Sequence, residues 1–411
     1  MEGNRLFNFL CFLLIFPFIS IAGNSLSFYI FILIILFETN KVFFFSRYNN
    51  IFYFFIINIT ISSFYSYYVD ELDKNILGSI FSFVRYLYWL SLSLYIVSIF
   101  KKLNLLILSK YITLGVIFLI SSQFVFFENI EIGPFTFKLY TPRNFFIYTL
   151  IISIPFTSYY SLKRYGYVGL ILTSLIFLYI SLSSDGRAGF IIIFLQLLYI
   201  FSLVFPKVKK TFTYLTIFLS IVFVSISYDG SQTGQVIGKN IQYLSPRVGN
   251  LILGEGDGNL STDKSWLTRK LMISKGLEII NKYPLFGVGP GNFVKYNSSL
   301  NQYGDTENIA LQGRNVSFYN EISAHNSYLQ IFTELGVFGF IAFIILVSFP
   351  LVYLLRNSFN SNLSLFSVPL VSLLGITIHF YVISSITGAI SWFLLSLSWA
   401  MYRYRFSHPI A

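Results

Sequence analysis

Apolar runs of about 17 to 23 residues follow one another along almost the whole chain, each long enough to cross a bilayer. Within hydrocarbon every backbone N–H and C=O must be satisfied inside the protein, so runs of this length are read as helices. They can be drawn at 6–22, 24–38, 50–68, 78–100, 108–127, 144–162, 166–183, 188–205, 211–228, 327–355, 365–385 and 388–402. The expected fold is therefore an all-α polytopic membrane protein with about 12 transmembrane helices and one large external loop. The second run is short, and 101–110 could instead lie as an amphipathic segment on the membrane surface before the fifth. Only 11% of residues are charged and 55% are hydrophobic, against about a quarter charged in soluble domains. The 48 Phe are put down to an AT-rich genome rather than to function. Residues 6–22 lack a small-x-small cleavage pattern and are followed at once by further apolar sequence, so they read as a retained first span. Cys11 is alone, which excludes an intramolecular disulfide.

The positive charges test this drawing independently, because cytoplasmic connections carry the excess of Lys and Arg. With the N-terminus inside, alternate connections hold Lys41 and Arg47, then Lys101, Lys102 and Lys110, then Lys163 and Arg164, then Lys207, Lys209 and Lys210, then Arg356, and finally Arg403 and Arg405. The opposite connections are acidic, balanced or uncharged: Asp70, Glu71 and Asp73 outweigh Lys74, and Glu128 and Glu131 offset Lys138 and Arg143. Both termini are thus expected in the cytoplasm. The net charge of +11 is largely a matter of topology and anionic lipid, and no nucleic-acid motif accompanies it.

The same alternation divides the chain into N-terminal spans (1–228), a large extracytoplasmic loop (229–324) and C-terminal spans with a cytoplasmic tail (325–411). Inside the loop, Ser265 to Lys282 reads as a basic amphipathic helix stopped by Pro284. The Gly-rich stretch PLFGVGPGNF (284–293) follows. It lacks the strand-turn-helix setting and the Lys-Ser/Thr ending of a nucleotide-binding loop, and reads as a sharp turn.

Few side chains here can carry chemistry. His325, in HNSYLQIFTELGVFG, stands where the polar loop returns to the membrane, and an imidazole with an ordinary pKa near 6.5 suits proton transfer. Its plainer role is a helix-start residue. Asn326 could cap that helix, and Glu334 is a further ionisable group close to the membrane. Arg187, in SSDGRAGF, sits at a membrane boundary where a guanidinium is expensive unless it meets an anion or dipole; pairing with Asp185 or snorkelling are the simpler accounts. Arg85, inside the fourth span, reads either as a functional charge or as a snorkelling residue among Tyr86, Tyr88 and Trp89. Arg269 by itself is a loop charge, His379 an interhelical hydrogen-bonder, and His408 a tail residue. No close His or Cys cluster suggests a metal, although loop carboxylates could assemble a site. Neither a metal nor a cofactor is expected.

In this order the pieces resemble the O-antigen ligase and O-antigen polymerase (Wzy) superfamily of bacterial membrane glycosyltransferases. The family pattern is His, then Asn, Ser or Gln, nine residues, Gly, two residues and a small or aromatic residue; His325, Asn326, Gly336 and Gly339 satisfy it. PLFGVGPGNF upstream, Arg269 fifteen residues before its Pro, and the Arg-Ala-Gly turn at Arg187 add to the likeness, which covers about residues 180–345. A Trp common after the loop Arg is absent here, and Trp266 precedes it.

The resemblance implies a GT-C-like bundle in the bacterial inner membrane, its site facing the periplasm or exterior. It implies metal-independent, inverting transfer of a glycan from undecaprenyl pyrophosphate to an acceptor hydroxyl on a glycan or lipid, with a chain-length regulator as a candidate partner. Arg187 and Arg269 would bind the departing pyrophosphate, and His325 would orient or deprotonate the hydroxyl. Arg85, Asn326 and Glu334 are the candidates for substrate binding. Polymerase is preferred over ligase. Two other classes compete: a flippase of lipid-linked glycans, against which the long loop argues, and a membrane O-acyltransferase, which would depend on His379 rather than His325.

Overall fold

The computed structural model describes residues 3–16, 19–21, 24–25, 29–31, 50–69, 76–100, 103–125, 130–132, 135–137, 143–184, 187–205, 264–297, 323–358, 366–381, 384 and 388–404. Its helices are α1 (Gly3–Ile15), α2 (Asn50–Tyr65), α3 (Ile76–Ile99), α4 (Leu105–Val125), α5 (Arg143–Ser183), α6 (Arg187–Val204), α7 (Lys264–Lys282), α8 (Ser327–Ser358), α9 (Ser367–Phe380) and α10 (Ala389–Tyr404). Among the described residues, five segments are long and apolar enough to cross a membrane: Asn50–Tyr68, Ile80–Ile99, Leu105–Gln123, Asn144–Ser183 and Ser327–Ser358. Ala188–Val204 and Ser367–Phe380 are shorter apolar helices. The fold is thus a helical membrane bundle. The runs at 32–38 and 211–228 lie outside the described residues, so about twelve spans remains a sequence expectation.

Two details correct the drawing. The first run ends as helix at Ile15, two residues short of Pro17, whose ring would clash with the preceding turn. Beyond it Ile19–Ile21 (β1) pairs antiparallel with Asn24–Ser25 (β2) and with Phe135–Phe137 (β4), which pairs with Ile130–Ile132 (β3). Strands of two or three residues are too short to show a period-2 pattern. Segment 105–110 belongs to α4, whose start is capped by the Asn104 side chain accepting the N–H groups of Leu106 at 2.9 Å and Ile107 at 3.3 Å.

Two glycines break what would otherwise be single long helices. In α5, Gly166 has φ 66° and ψ −157°, and the Thr173 hydroxyl donates to the Ser161 hydroxyl at 2.8 Å. Twelve residues along a straight helix would separate that pair by about 18 Å. The chain therefore folds back at Gly166, giving the two antiparallel spans expected at 144–162 and 166–183. In α8, Gly336 has φ 67° and ψ −169°, and the Phe332 and Phe340 rings stack at 5.0 Å where a straight helix would set the residues about 12 Å apart along its axis. A short helix of residues 327–335 therefore precedes the break, and the 22 residues that follow it reach about 33 Å, enough for a bilayer.

Aromatic side chains knit α2, α3 and α10 together: Phe55 and Trp89 lie 5.7 and 6.5 Å from Trp392, and Phe52 lies 5.9 Å from Trp399. Polar side chains tie the other wall, as in many membrane bundles. The Gln196 amide of α6 donates to the carbonyls of Ile151 at 2.9 Å and Val371 at 3.0 Å, and the Ser372 hydroxyl donates to that of Ile152 at 2.8 Å.

Candidate active site

The break at Gly336 creates a hydrogen-bonding problem, and the Gly-rich stretch solves it. An interrupted helix orphans carbonyls that would have accepted from the next turn, and buried carbonyls need partners. Val288 donates its N–H to the carbonyl of Thr333 at 3.0 Å and Gly289 donates to that of Glu334 at 2.9 Å, while Val337 donates to the carbonyl of Pro284 at 2.8 Å. The Ser62 hydroxyl of α2 also donates to the Glu334 carbonyl, at 2.7 Å. The loop is thereby spliced into the helix. Contact this close leaves no room for side chains: a Cβ at Gly336 would lie 2.1 Å from the carbonyl oxygen of Leu285, and one at Gly287 would lie 2.5 Å from that of Thr333.

The Glu334 side chain closes the same junction. It is 1% exposed, and its carboxylate accepts from the Gln330 amide at 3.0 Å, from the Tyr86 hydroxyl at 3.4 Å, and from the backbone N–H groups of Gly291 and Phe293. The donors come from α3, α8 and the loop together. Tyr86 is a residue that the sequence reading passed over in favour of its neighbour Arg85. Arg85 lies on the exposed side of α3, whereas Tyr86, about 100° around the helix, is buried.

His325 stands just before α8. Asn326 caps that helix as expected, its side-chain oxygen accepting the N–H of Leu329 at 3.0 Å and its carbonyl the N–H of Gln330 at 2.9 Å. His325 itself has φ 50°, left-handed backbone that a branched-Cβ residue avoids and that non-glycine residues occupy mainly where surroundings force it. Its imidazole is half-buried. Burial, followed by the charge of Arg269, holds it below its ordinary pKa.

The charge of Arg269 acts on His325 because α7 packs against α8. Gly276 makes the approach close: a Cβ there would lie 2.6 Å from the Leu329 side chain. Arg187 opens α6, and its side chain lies outside the described residues. The start of its helix packs on α5, and α5, α9 and α8 are linked in turn. A Cβ at Gly189 would meet Ile147 on α5; Tyr148 stacks on His379 of α9 at 5.8 Å; and the Tyr328 hydroxyl of α8 donates to the carbonyl of Thr377 at 3.0 Å. His379 is buried in the bundle, its Nδ1 without a hydrogen-bond partner among the described residues.

The arrangement offers a half-buried imidazole on which the charge of a guanidinium from the neighbouring helix α7 acts. It suits proton transfer beside a bound anion. Among the described residues no three His, Cys, Asp or Glu side chains gather as a metal would require.

A family model described as O-antigen ligase matches residues 148–344, a stretch that contains Arg187, Arg269, the Gly-rich loop, His325 and the Gly336 break. The match bears out the resemblance read from the sequence. No curated protein matches the chain.

Proposed function

We propose that this chain, a member of the O-antigen ligase and polymerase superfamily across residues 148–344, is a membrane glycosyltransferase that passes oligosaccharide repeat units from undecaprenyl pyrophosphate to an acceptor hydroxyl during surface polysaccharide assembly. The observation that carries the reading is a half-buried His325, just before α8, whose proton affinity burial and the charge of Arg269 on α7 both lower. An imidazole held neutral can take a proton from a hydroxyl, and a guanidinium beside it can hold the pyrophosphate that departs.

In the step, the acceptor oxygen bonds to the anomeric carbon as the bond from that carbon to the phosphate oxygen breaks. Arg269 and Arg187 take up the charge developing on the leaving pyrophosphate, which is an electrostatic contribution in a partly dry site. The hydroxyl proton passes to His325. A bound pyrophosphate raises the imidazole's proton affinity again, so His325 gains basicity when the donor arrives. Placement in the inner membrane with the site facing outward follows the charge alternation of the connections.

Polymerisation, with a second lipid-linked repeat as acceptor, is the role proposed. The ligase role, with lipid A core or protein as acceptor, is favoured by the description of the matched family. Purified protein in nanodiscs, given a synthetic undecaprenyl-pyrophosphate oligosaccharide with EDTA present, tests both. Ladders from donor alone that vanish in His325→Ala and Arg187→Ala support the polymerase. Transfer only after another acceptor is added supports the ligase. Movement of substrate across vesicles without transfer would replace the enzyme with a flippase.

A further inference from the structure

Helix α7 carries a buried cation, six residues beyond Arg269, that neither the motif nor the charge pattern singles out. Lys275 is 1% exposed, and its Nζ makes no hydrogen bond among the described residues. It lies 5.1 Å from the centroid of the Phe293 ring, inside the apolar cluster that holds Met272, Ile279, Val288 and Tyr296. An ammonium so placed is expensive, and the ring face of Phe293 offsets part of the desolvation. Burial brings its pKa down to about 8, with Glu278 acting in the opposite sense. Glu278 is shared: it also accepts from the Tyr296 hydroxyl at 3.2 Å and stands 3.9 Å from Lys282. The other titratable groups on the packed elements include Tyr65, Arg269, Lys270, Tyr283, Lys295, His325, Tyr328 and Glu334.

Phe293 is gripped from two directions. Its ring faces Lys275 and its N–H donates to the Glu334 carboxylate. The residue after Lys275 is Gly276, where α7 touches Leu329, and the charge of Arg269 on the same helix acts on His325. The Lys275–Phe293 contact thus joins apolar packing and the Tyr296–Glu278 hydrogen bond in tying α7 to the end of the Gly-rich loop, while the loop is tied to the break in α8.

We propose that Lys275 is a positioning residue: its ammonium, seated on Phe293, fixes α7 against the Gly-rich loop and so sets Arg269 beside His325. The catalytic meaning of this rests on the glycan-transfer reading above, but the geometric claim does not.

With only three histidines in the chain, labelling by diethyl pyrocarbonate followed by mass spectrometry reports the titration of His325 separately from His379 and His408. Lys275→Met keeps the length and removes the charge; Lys275→Arg keeps the charge. The expected result is a His325 midpoint that moves up toward the ordinary value in Lys275→Met, because Arg269 has drawn away, and stays at the wild-type position in Lys275→Arg. In turnover assays Lys275→Met lowers kcat by about tenfold or more with KM for the donor within about twofold, since positioning acts in the transition state more than in binding. Thermal unfolding of Lys275→Met at pH 7 is expected at or above the wild-type temperature. An unchanged His325 midpoint in folded Lys275→Met overturns the proposal, as does a loss of activity that tracks a fall in unfolding temperature. If the wild type transfers no glycan, the function reading fails while the His325 titration still decides the role of Lys275.

Discussion

Gly289 donates its backbone N–H to the main-chain carbonyl of Glu334 at 2.9 Å, so a loop turn and a broken helix 45 residues apart in sequence share one hydrogen-bonding network. The loop lends N–H groups, and the break supplies carbonyls that accept them.

That mutual dependence ranks two glycine substitutions. Gly166 and Gly336 have nearly the same backbone, φ 66° and 67°, but a Cβ at Gly166 meets nothing within 4 Å whereas one at Gly336 meets the Leu285 carbonyl at 2.1 Å. Gly166→Ala should cost about 1–3 kcal/mol of backbone strain. Gly336→Ala should cost several kcal/mol more, because backbone must move. Thermal unfolding of the two variants in one detergent checks the order; equal losses would mean that the loop is not docked on the break.

Glu334 entered as a substrate-binding candidate, but its carboxylate is enclosed by protein donors. Glu334→Gln leaves one acceptor oxygen where two were used and places an amide against backbone N–H groups, so about 1–3 kcal/mol of stability should be lost. A lower unfolding temperature with donor KM little changed is expected. A raised KM at wild-type stability would restore the substrate-binding role.

Left-handed backbone at His325 predicts that stability and activity part company there. His325→Gly should unfold at a higher temperature than His325→Ala by the equivalent of about 1 kcal/mol, since glycine takes φ 50° without a Cβ penalty. Both should be inactive. If alanine is the more stable of the two, the φ is not maintained in the membrane.

The pH dependence of free-enzyme turnover follows from the imidazole. Burial and Arg269 both favour neutral His325, so kcat/KM should fall on the acid side with a midpoint below 6.5. Arg269→Gln should move that midpoint upward while lowering the plateau by about 100-fold through loss of charge stabilisation. A midpoint that stays put would separate the two residues.

Lys275 gives a stability profile with a definite sign. Its folded value, about 8, lies below its ordinary 10.5, so between those pH values the unfolded chain holds more protons and stability rises with pH. At about 1.4 kcal/mol per pH unit the full gain is about 3 kcal/mol. Unfolding of the wild type should therefore be harder at pH 10 than at pH 7.5, and Lys275→Met should flatten the rise. A parallel rise in the variant would assign it to other groups.

The sequence by itself determined the helical bundle, the turn-back near Gly166 and the family resemblance. Bilayer length, charge alternation and the spacing from His325 through Gly336 to Gly339 are local or periodic properties, legible without knowing which helices touch. The cap at Asn326 belongs with them, because its partners are three and four residues away. What only the tertiary structure decided are the partnerships between distant segments. Tyr86 rather than Arg85 turns to Glu334 because of how α3 is rotated against α8, and helix hydropathy does not fix rotation when most of the faces are apolar. Lys275 reads as one of several solvent-facing charges on a basic helix until Phe293 covers it. The charge of Arg269 acts on His325 across a packing of α7 on α8 that Gly276 makes close at Leu329. In each instance the deciding term is which surface is removed from water or lipid by a partner remote in the chain, and that is a property of the packed molecule.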